Sequence, residues 1–265
     1  MRPIILLAVF LWGNAGIAQS NLPNQQPPGN ESAFLTNVRQ LTLEGKRAGE
    51  GYFSPDGKKL IFQSERETSN PFYQIYILDL ETGESGRVSP GNGKTTCAFF
   101  RPGSQEVMFS STHLNPKCVQ EQEAEIAFRN SGQKRRYSWD YDSTMDIFSA
   151  NQDGSNLKRL TSANGYDAEG AYSPDGKLIV FSSLRSAYQG NLTPELQKQK
   201  EIDPSYFGEV YLMNADGSNV KRLTNLPGYD GGTFFSPDGK RIIWRHFEPD
   251  GKTADVYSMD LNGND

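Results

Sequence analysis

The chain has 265 residues, 35% of them hydrophobic and 11% aromatic, which is enough to bury a sizeable core without a staple of disulfides. With 27 basic against 32 acidic residues the net charge is −5, which argues against a nucleic-acid partner, because phosphate binding calls for clustered Lys and Arg. Two Cys exclude a disulfide-rich scaffold and a Cys-only zinc site, and the two His, His113 and His246, are too far apart for HExxH metal chemistry.

In chain order, the first element is a targeting segment. Arg2 precedes the apolar run Ile4 to Trp12, and the small residues Gly16 and Ala18 suit signal-peptidase cleavage before Gln19. Residues 1–18 are therefore expected to be a signal peptide and 19–36 a Pro-, Gln- and Asn-rich linker. The apolar run is too short to span a bilayer, and no later segment approaches that length. The expected location is periplasmic or secreted, with no transmembrane span.

From Asn37 onward the chain repeats itself. Ser54-Pro55-Asp56-Gly57-Lys58 recurs at Ser173–Lys177 and Ser236–Lys240, with a degenerate copy at Arg101–Ser104. Pro presets φ at the second turn position, Asp caps the turn, and Gly supplies a positive φ. An aromatic precedes each turn (Phe53, Phe100, Tyr172, Phe235), and a β-rich apolar stretch follows it, as in Lys59–Phe62 and Arg241–Trp244. A third strand comes next (Ile75–Asp79, Ile147–Asn151, Val210–Asn214, Val256–Asp260), ending in a Gly turn such as Asp153-Gly154 or Asp216-Gly217. The fourth strand is clearest at Asn156–Thr161 and Asn219–Thr224 and has decayed at Arg87-Val88-Ser89. Four short antiparallel strands per repeat describe an all-β propeller blade. Three complete blades and a partial fourth are expected, and the four aromatics should be buried between blades. Two insertions, roughly residues 113–143 and 184–208, separate second from third strands, and any helix should lie within them.

The Ser-Pro-Asp-Gly turn, the Ile-Tyr-x-Met-Asn/Asp strand and the Asp-Gly-Ser-Asn-x-Lys-Arg-Leu-Thr hairpin resemble the TolB-like, WD40-like propeller repeat, over residues 37–265. The resemblance implies a six-bladed ring, incomplete here, and an envelope role. Only about 18 residues lie between the expected cleavage site and the first strand, fewer than the separate α/β domain of TolB needs, so the Tol–Pal role does not carry over directly. Similar propellers also precede serine-peptidase domains and occur in a sugar-lyase family. Asn37–Thr42 looks like a fourth strand without its blade; joined to Val256–Asp260 it would close a four-bladed ring instead.

Strand order puts both insertions on one face with the inter-blade loops Gly165–Glu169 and Gly228–Gly232, and loops on a rigid scaffold carry function. Four residues before each turn stand Glu50, Cys97, Glu169 and Gly232. Glu50, Asp167, Glu169 and Asp230 are expected to form a polar ring for a ligand, or for a divalent cation if one is bound; inter-blade ion pairs are the alternative use of these repeated residues. His113, Arg245 and His246 break the repeat and join the ligand-binding candidates. The first insertion mixes Glu121, Glu123 and Glu125 with Lys134, Arg135 and Arg136 and with Tyr137, Trp139 and Tyr141, which reads as a binding loop or as a solvated excursion.

Cys97 and Cys118 both fall on this face, and an oxidising compartment favours a disulfide between them; two separate thiols or a His113–Cys118 metal site are the alternatives. No Gly-x-Ser-x-Gly elbow, P-loop or dinucleotide fingerprint is present, so no catalytic residue and no cofactor are assigned. The leading expectation is a non-catalytic binding propeller for an envelope protein or glycan. The alternatives are the N-terminal propeller of a longer peptidase and a metal-assisted carbohydrate-active propeller.

Overall fold

A computed structural model of the chain describes residues 34–136 and 138–264. The expected signal peptide, most of the expected linker and Tyr137 lie outside the described residues.

Four antiparallel sheets are arranged around a common axis as propeller blades, with strands pairing in chain order within each. Blade 1 comprises β1 (Arg47–Phe53), β2 (Lys59–Glu65), β3 (Gln74–Asp79) and β4 (Ser85–Arg87). Blade 2 comprises β5 (Thr95–Phe100), β6 (Glu106–Ser111), β7 (Asp146–Asn151) and β8 (Lys158–Arg159). Blade 3 is built from β9 (Asp167–Tyr172), β10 (Leu178–Ser183), β11 (Glu209–Asn214) and β12 (Lys221–Arg222), and blade 4 from β13 (Tyr229–Phe235), β14 (Arg241–Phe247) and β15 (Ala254–Asp260). Among the described residues helix is confined to the insertions: α1 (Cys118–Asn130), α2 (Pro194–Ile202) and two short 3-10 turns, Arg185–Tyr188 and Pro204–Phe207.

The repeated turns do what their residues dictate. In Ser54–Lys58 the Ser54 hydroxyl donates to Asp56 at 2.6 Å and accepts from the Lys59 amide at 2.9 Å, and the Gly57 amide closes the turn on the Ser54 carbonyl at 2.8 Å. The copies at Ser173 and Ser236 repeat these bonds. The Lys-Arg-Leu-Thr stretch of the fourth strand also has a job. In blade 2 the Thr161 hydroxyl accepts from the Ile147 amide at 2.9 Å, while Arg159 pairs with Asp146 at 2.5 Å. Thr224, Arg222 and Glu209 repeat the arrangement in blade 3. In blade 1 Ser89 and Gln74 keep the hydrogen bonds without the charges.

Apolar clusters fill each blade-to-blade seam. Ile61, Ile75, Phe100, Val107, Phe109 and Phe148 pack between blades 1 and 2. Ile179, Phe181, Tyr211 and Met213 lie with Met108 and Ile147 between blades 2 and 3, and Val180, Val210, Ile242 and Trp244 between blades 3 and 4. The hairpin glycines make the seams close. Gly217 has φ +87°, and a Cβ there would sit 2.5 Å from the Leu160 carbonyl oxygen of the preceding blade. Gly217→Ala should therefore destabilise by about 1–3 kcal/mol, through backbone strain and the lost approach. Gly83 has φ +77° with open space around it, so Gly83→Ala should cost clearly less in the same denaturant titration. Equal costs would mean that the Gly217 contact contributes nothing.

Several expectations need correction. Phe100 and Tyr172 are buried, but Phe53 is 63% exposed, because no blade covers that side of β1 among the described residues, and Phe235 is only partly buried against the cluster between blades 3 and 4. Blades 1 and 4 approach each other near the axis, where the Tyr52 and Phe234 rings are 5.9 Å apart. Asn37–Thr42 forms no strand and β15 pairs with β14 alone among the described residues, so here it is the alternative, strand exchange closing a four-bladed ring, that is not formed. The Cys97–Cys118 disulfide is not formed either: both cysteines are free and buried.

The insertions are tied to the blades at particular contacts, while residues 131–136 and 138–140 of the first are exposed and α2 buries no residue. From α1, Gln122 accepts from the Gly93 amide at 2.8 Å and donates to the Ser69 carbonyl at 3.1 Å, while Arg129 reaches Glu65 of blade 1 and the Pro71 carbonyl. Lys94 holds the following loop through Asp140 and Asp142, both at 2.7 Å. Thr193 caps α2, with Pro194 in the first turn, where its missing N–H costs nothing.

Candidate functional site

The four inner strands share one local device. Each carries a β-bulge at the same place, marked by breaks in register at Gly49/Gly51, Thr96/Phe99, Ala168/Ala171 and Gly231/Phe234. The bulged residue is left-handed in every blade: Glu50 has φ 35°, Cys97 53°, Glu169 56° and Gly232 66°. Bulges re-aim side chains, and left-handed backbone at a non-glycine residue tends to occur where function demands it. These four residues form the column visible in the sequence four positions before each turn, and here they turn toward the axis.

They open into a cavity of about 730 Å³ on the face that carries the insertions. Glu50, Cys97, Glu169 and Gly232 line its base together with Tyr52 and Phe234. Trp139 and Tyr141 of the first insertion, Asp203, Ser205 and Tyr206 of the second, and Arg245, Phe247 and Glu248 of blade 4 make the walls. Beneath them Tyr166 and Tyr229 are buried, Tyr141 meets Tyr166 edge-on at 5.3 Å, and the Trp139 indole N–H donates to the Tyr166 hydroxyl at 3.0 Å.

Hydrogen bonding fixes the two acids differently. Glu169 accepts from the Tyr229 hydroxyl and the Gly232 amide, tying blade 3 to blade 4. Glu50 accepts from the Tyr52 hydroxyl at 3.2 Å and the Cys97 thiol at 3.7 Å. Glu50 is exposed as a residue, with its carboxyl drawn toward Tyr52 and Cys97 at the cavity. Partial desolvation there pushes its carboxyl pKa up; the Tyr52 hydrogen bond opposes the shift and the charge of Glu169 adds to it. Burial, then the two glutamates, likewise push the Cys97 thiol well up, so this cysteine is no ready nucleophile. Burial and the charge of Glu169 move Tyr141 up to about 12.

Glu50 should accordingly titrate above the ordinary glutamate value in a carbon-detected NMR titration, and Glu169→Gln should bring it partway down. The sign for stability follows: the folded protein holds this proton more tightly than the unfolded chain. The contribution of Glu50 to stability is therefore present below the ordinary value and lost as pH rises through the raised one. A midpoint at or below the ordinary value would contradict this partial desolvation.

Of the seven ligand-binding candidates, Glu50, Glu169 and Arg245 come together in this cavity. Asp167 is fully buried elsewhere, paired with Arg185 at 2.6 Å. Asp230 is also fully buried, accepting from the Trp244 indole at 3.0 Å and from His246 Nδ1 at 2.7 Å. His113 contacts Ser111 and lies 4.3 Å from the Phe148 ring; burial, then Arg159, hold its pKa down. The Cys118 thiol faces the His113 carbonyl at 3.7 Å, not its ring. Among the described residues no three His, Cys, Asp or Glu side chains converge as a metal shell.

Sequence reasoning passes over Tyr52, Phe234, Tyr206, Tyr229 and Asp203. For Tyr229 a signal exists: Gly-Tyr-Asp repeats at 165–167 and 228–230. The tyrosines of that motif support the cavity and the aspartates enter buried pairs.

No family model matches the chain. It is 25% identical over 200 residues to an uncharacterized protein of Agrobacterium fabrum, an alignment covering 74% of this chain and 54% of that protein. It is 28% identical over 124 residues to a TolB homologue of Chlorobium chlorochromatii, covering 38% and 28% respectively. The chain thus spans about half the length, or less, of these curated relatives. Among solved structures, TolB from Acinetobacter baumannii superposes with a TM-score of 0.51 at 21% identity, over 80% of this chain and 40% of that one. The oligogalacturonate lyase in complex with manganese superposes equally well, 0.51 at 16% identity, over 82% and 51%.

Proposed function

Starting from the TolB-like β-propeller that this chain forms, we propose a non-catalytic binding propeller of the cell envelope that holds a ligand or partner segment in the axial cavity. The single observation that carries this reading is convergence. All four inner strands and both insertions contribute to one concave, aromatic-rich site, the kind of surface that buries a ligand. The chemistry around it supports binding over catalysis: the thiol is held protonated, and the glutamates are engaged by Tyr52, Tyr229 and the Gly232 amide. An envelope location agrees with the expected signal peptide and with the TolB-named relatives, and an envelope protein or glycan is the proposed partner.

The test is capture from a solubilised envelope fraction by the immobilised chain, compared with a Trp139→Ala/Tyr206→Ala variant of unchanged melting temperature. One species should be retained by the wild type and lost by the variant. Identical capture by both would sink the assignment of the cavity.

A further inference from the structure

The charges inside the cavity are unbalanced, and that imbalance carries information about the ligand. Four carboxylates line it, Glu50, Glu169, Asp203 and Glu248, against one guanidinium, Arg245. Four buried acids at the blade seams have arginine partners: Glu65 with Arg47 and Arg129, Asp146 with Arg159, Asp167 with Arg185, Glu209 with Arg222. Among the described residues none of the cavity acids has an ion-pair partner within 4 Å; Glu169 is half-buried, and Glu50, Asp203 and Glu248 are exposed along the cavity.

Resting on the reading of the cavity as a binding site, we infer that its ligand presents an organic cation, an ammonium or guanidinium group, that seats beside Glu50 and Glu169 against the aromatic wall. The geometry assigns separate roles to the two acids. Glu169 is fixed by Tyr229 and the Gly232 amide and acts as a placed negative charge. Glu50 has one weak thiol contact and one hydroxyl contact, leaving acceptor capacity toward the cavity. A cleft lined by one sign of charge with low-dielectric walls concentrates counter-charged ligands. Trp139, Tyr141, Tyr206 and Phe234 add ring faces, which attract cations and exclude water. Arg245 lies over the Phe247 ring at 5.3 Å, which occupies its cationic face within the protein. At about 730 Å³ the space exceeds one ammonium group, so the cation belongs to a larger body: a free polyamine, or a basic side chain on a peptide segment.

The experiment titrates the full chain with four probes: spermidine, N-acetyl-arginine amide, N-acetyl-glutamine amide and N-acetyl-glutamate amide. The indole resonance of Trp139 reports binding. The two cations should bind and the neutral and anionic probes should not. Glu50→Gln should weaken the cations by roughly tenfold, as expected for a close charge pair. Glu248→Gln, on the exposed rim and free of backbone strain, should weaken them by a smaller factor, so that a folding defect at Glu50 leaves a second reading. Tighter spermidine points to a free amine and tighter arginine amide to a peptide side chain; both outcomes support the inference. An anionic probe binding as tightly as the cations, or cation affinity unchanged by both substitutions, overturns the cation while leaving the cavity a binding site. No response to any probe overturns the binding site as well.

Discussion

Asp167→Ala should lower the unfolding free energy by about 3–5 kcal/mol, because it leaves the Arg185 guanidinium buried without a counter-charge. Asp167 is fully buried, and its carboxylate takes Arg185 at 2.6 Å on one oxygen and the Ser183 hydroxyl on the other. Arg185 also lies over two neighbouring rings, 5.2 Å from the Phe181 ring centre and 4.9 Å from that of Tyr211. Water cannot readily replace a partner in that setting. Asp167→Ala/Arg185→Met should recover most of the loss, since a well-packed apolar side chain removes the stranded charge. Urea unfolding of the wild type and the two variants decides it. A single-variant cost below about 1 kcal/mol would show that the pair is hydrated and the network weak.

The second large effect separates two residues that the repeat makes equivalent. Phe100→Ala should cost about 3–5 kcal/mol, because Phe100 is 3% exposed within the cluster that joins blades 1 and 2. Phe53 occupies the same position in blade 1 but is 63% exposed, so Phe53→Ala should fall within about 0.5 kcal/mol of wild type. If Phe53→Ala proves as costly as Phe100→Ala, the outer side of β1 is covered in solution.

Much of the blade is legible in the amino-acid sequence, and particular residues show why. Ser54, Asp56 and Gly57 each have a local reason to be where they are: a side-chain cap, an Asx-type acceptor and a positive φ. Their bonds close within five residues, so the turn is written in the local chain. The Lys-Arg-Leu-Thr stretch stands out as a motif, yet the motif does not disclose the acid it meets. Asp146 meets Arg159 and Thr161 only once β7 and β8 are paired.

The site is half legible. The column holding Glu50, Cys97, Glu169 and Gly232 follows from counting back from the turns, because a repeat places equivalent residues at equivalent radii. Counting cannot distinguish Glu169, which faces the cavity, from Asp167, two residues earlier and sealed in an ion pair. A bulge lies between these possibilities: one extra residue in the inner strand reverses which side chains face the axis.

Strand order, turn chemistry, the positions of both insertions and the face on which they emerge all rest on short-range backbone preferences and strand alternation, so the residues in chain order suffice to specify them. Blade packing settles the rest: which repeated acids are neutralised and which are left open, where Phe53 loses its cover, and that Cys97 and Cys118 stay apart. Burial and pairing depend on what neighbouring blades bring to a seam, and those neighbours lie tens of residues away in the chain: Arg129 reaches back to Glu65, and Tyr229 reaches Glu169. Distance along the chain carries no record of such meetings until the blades have packed.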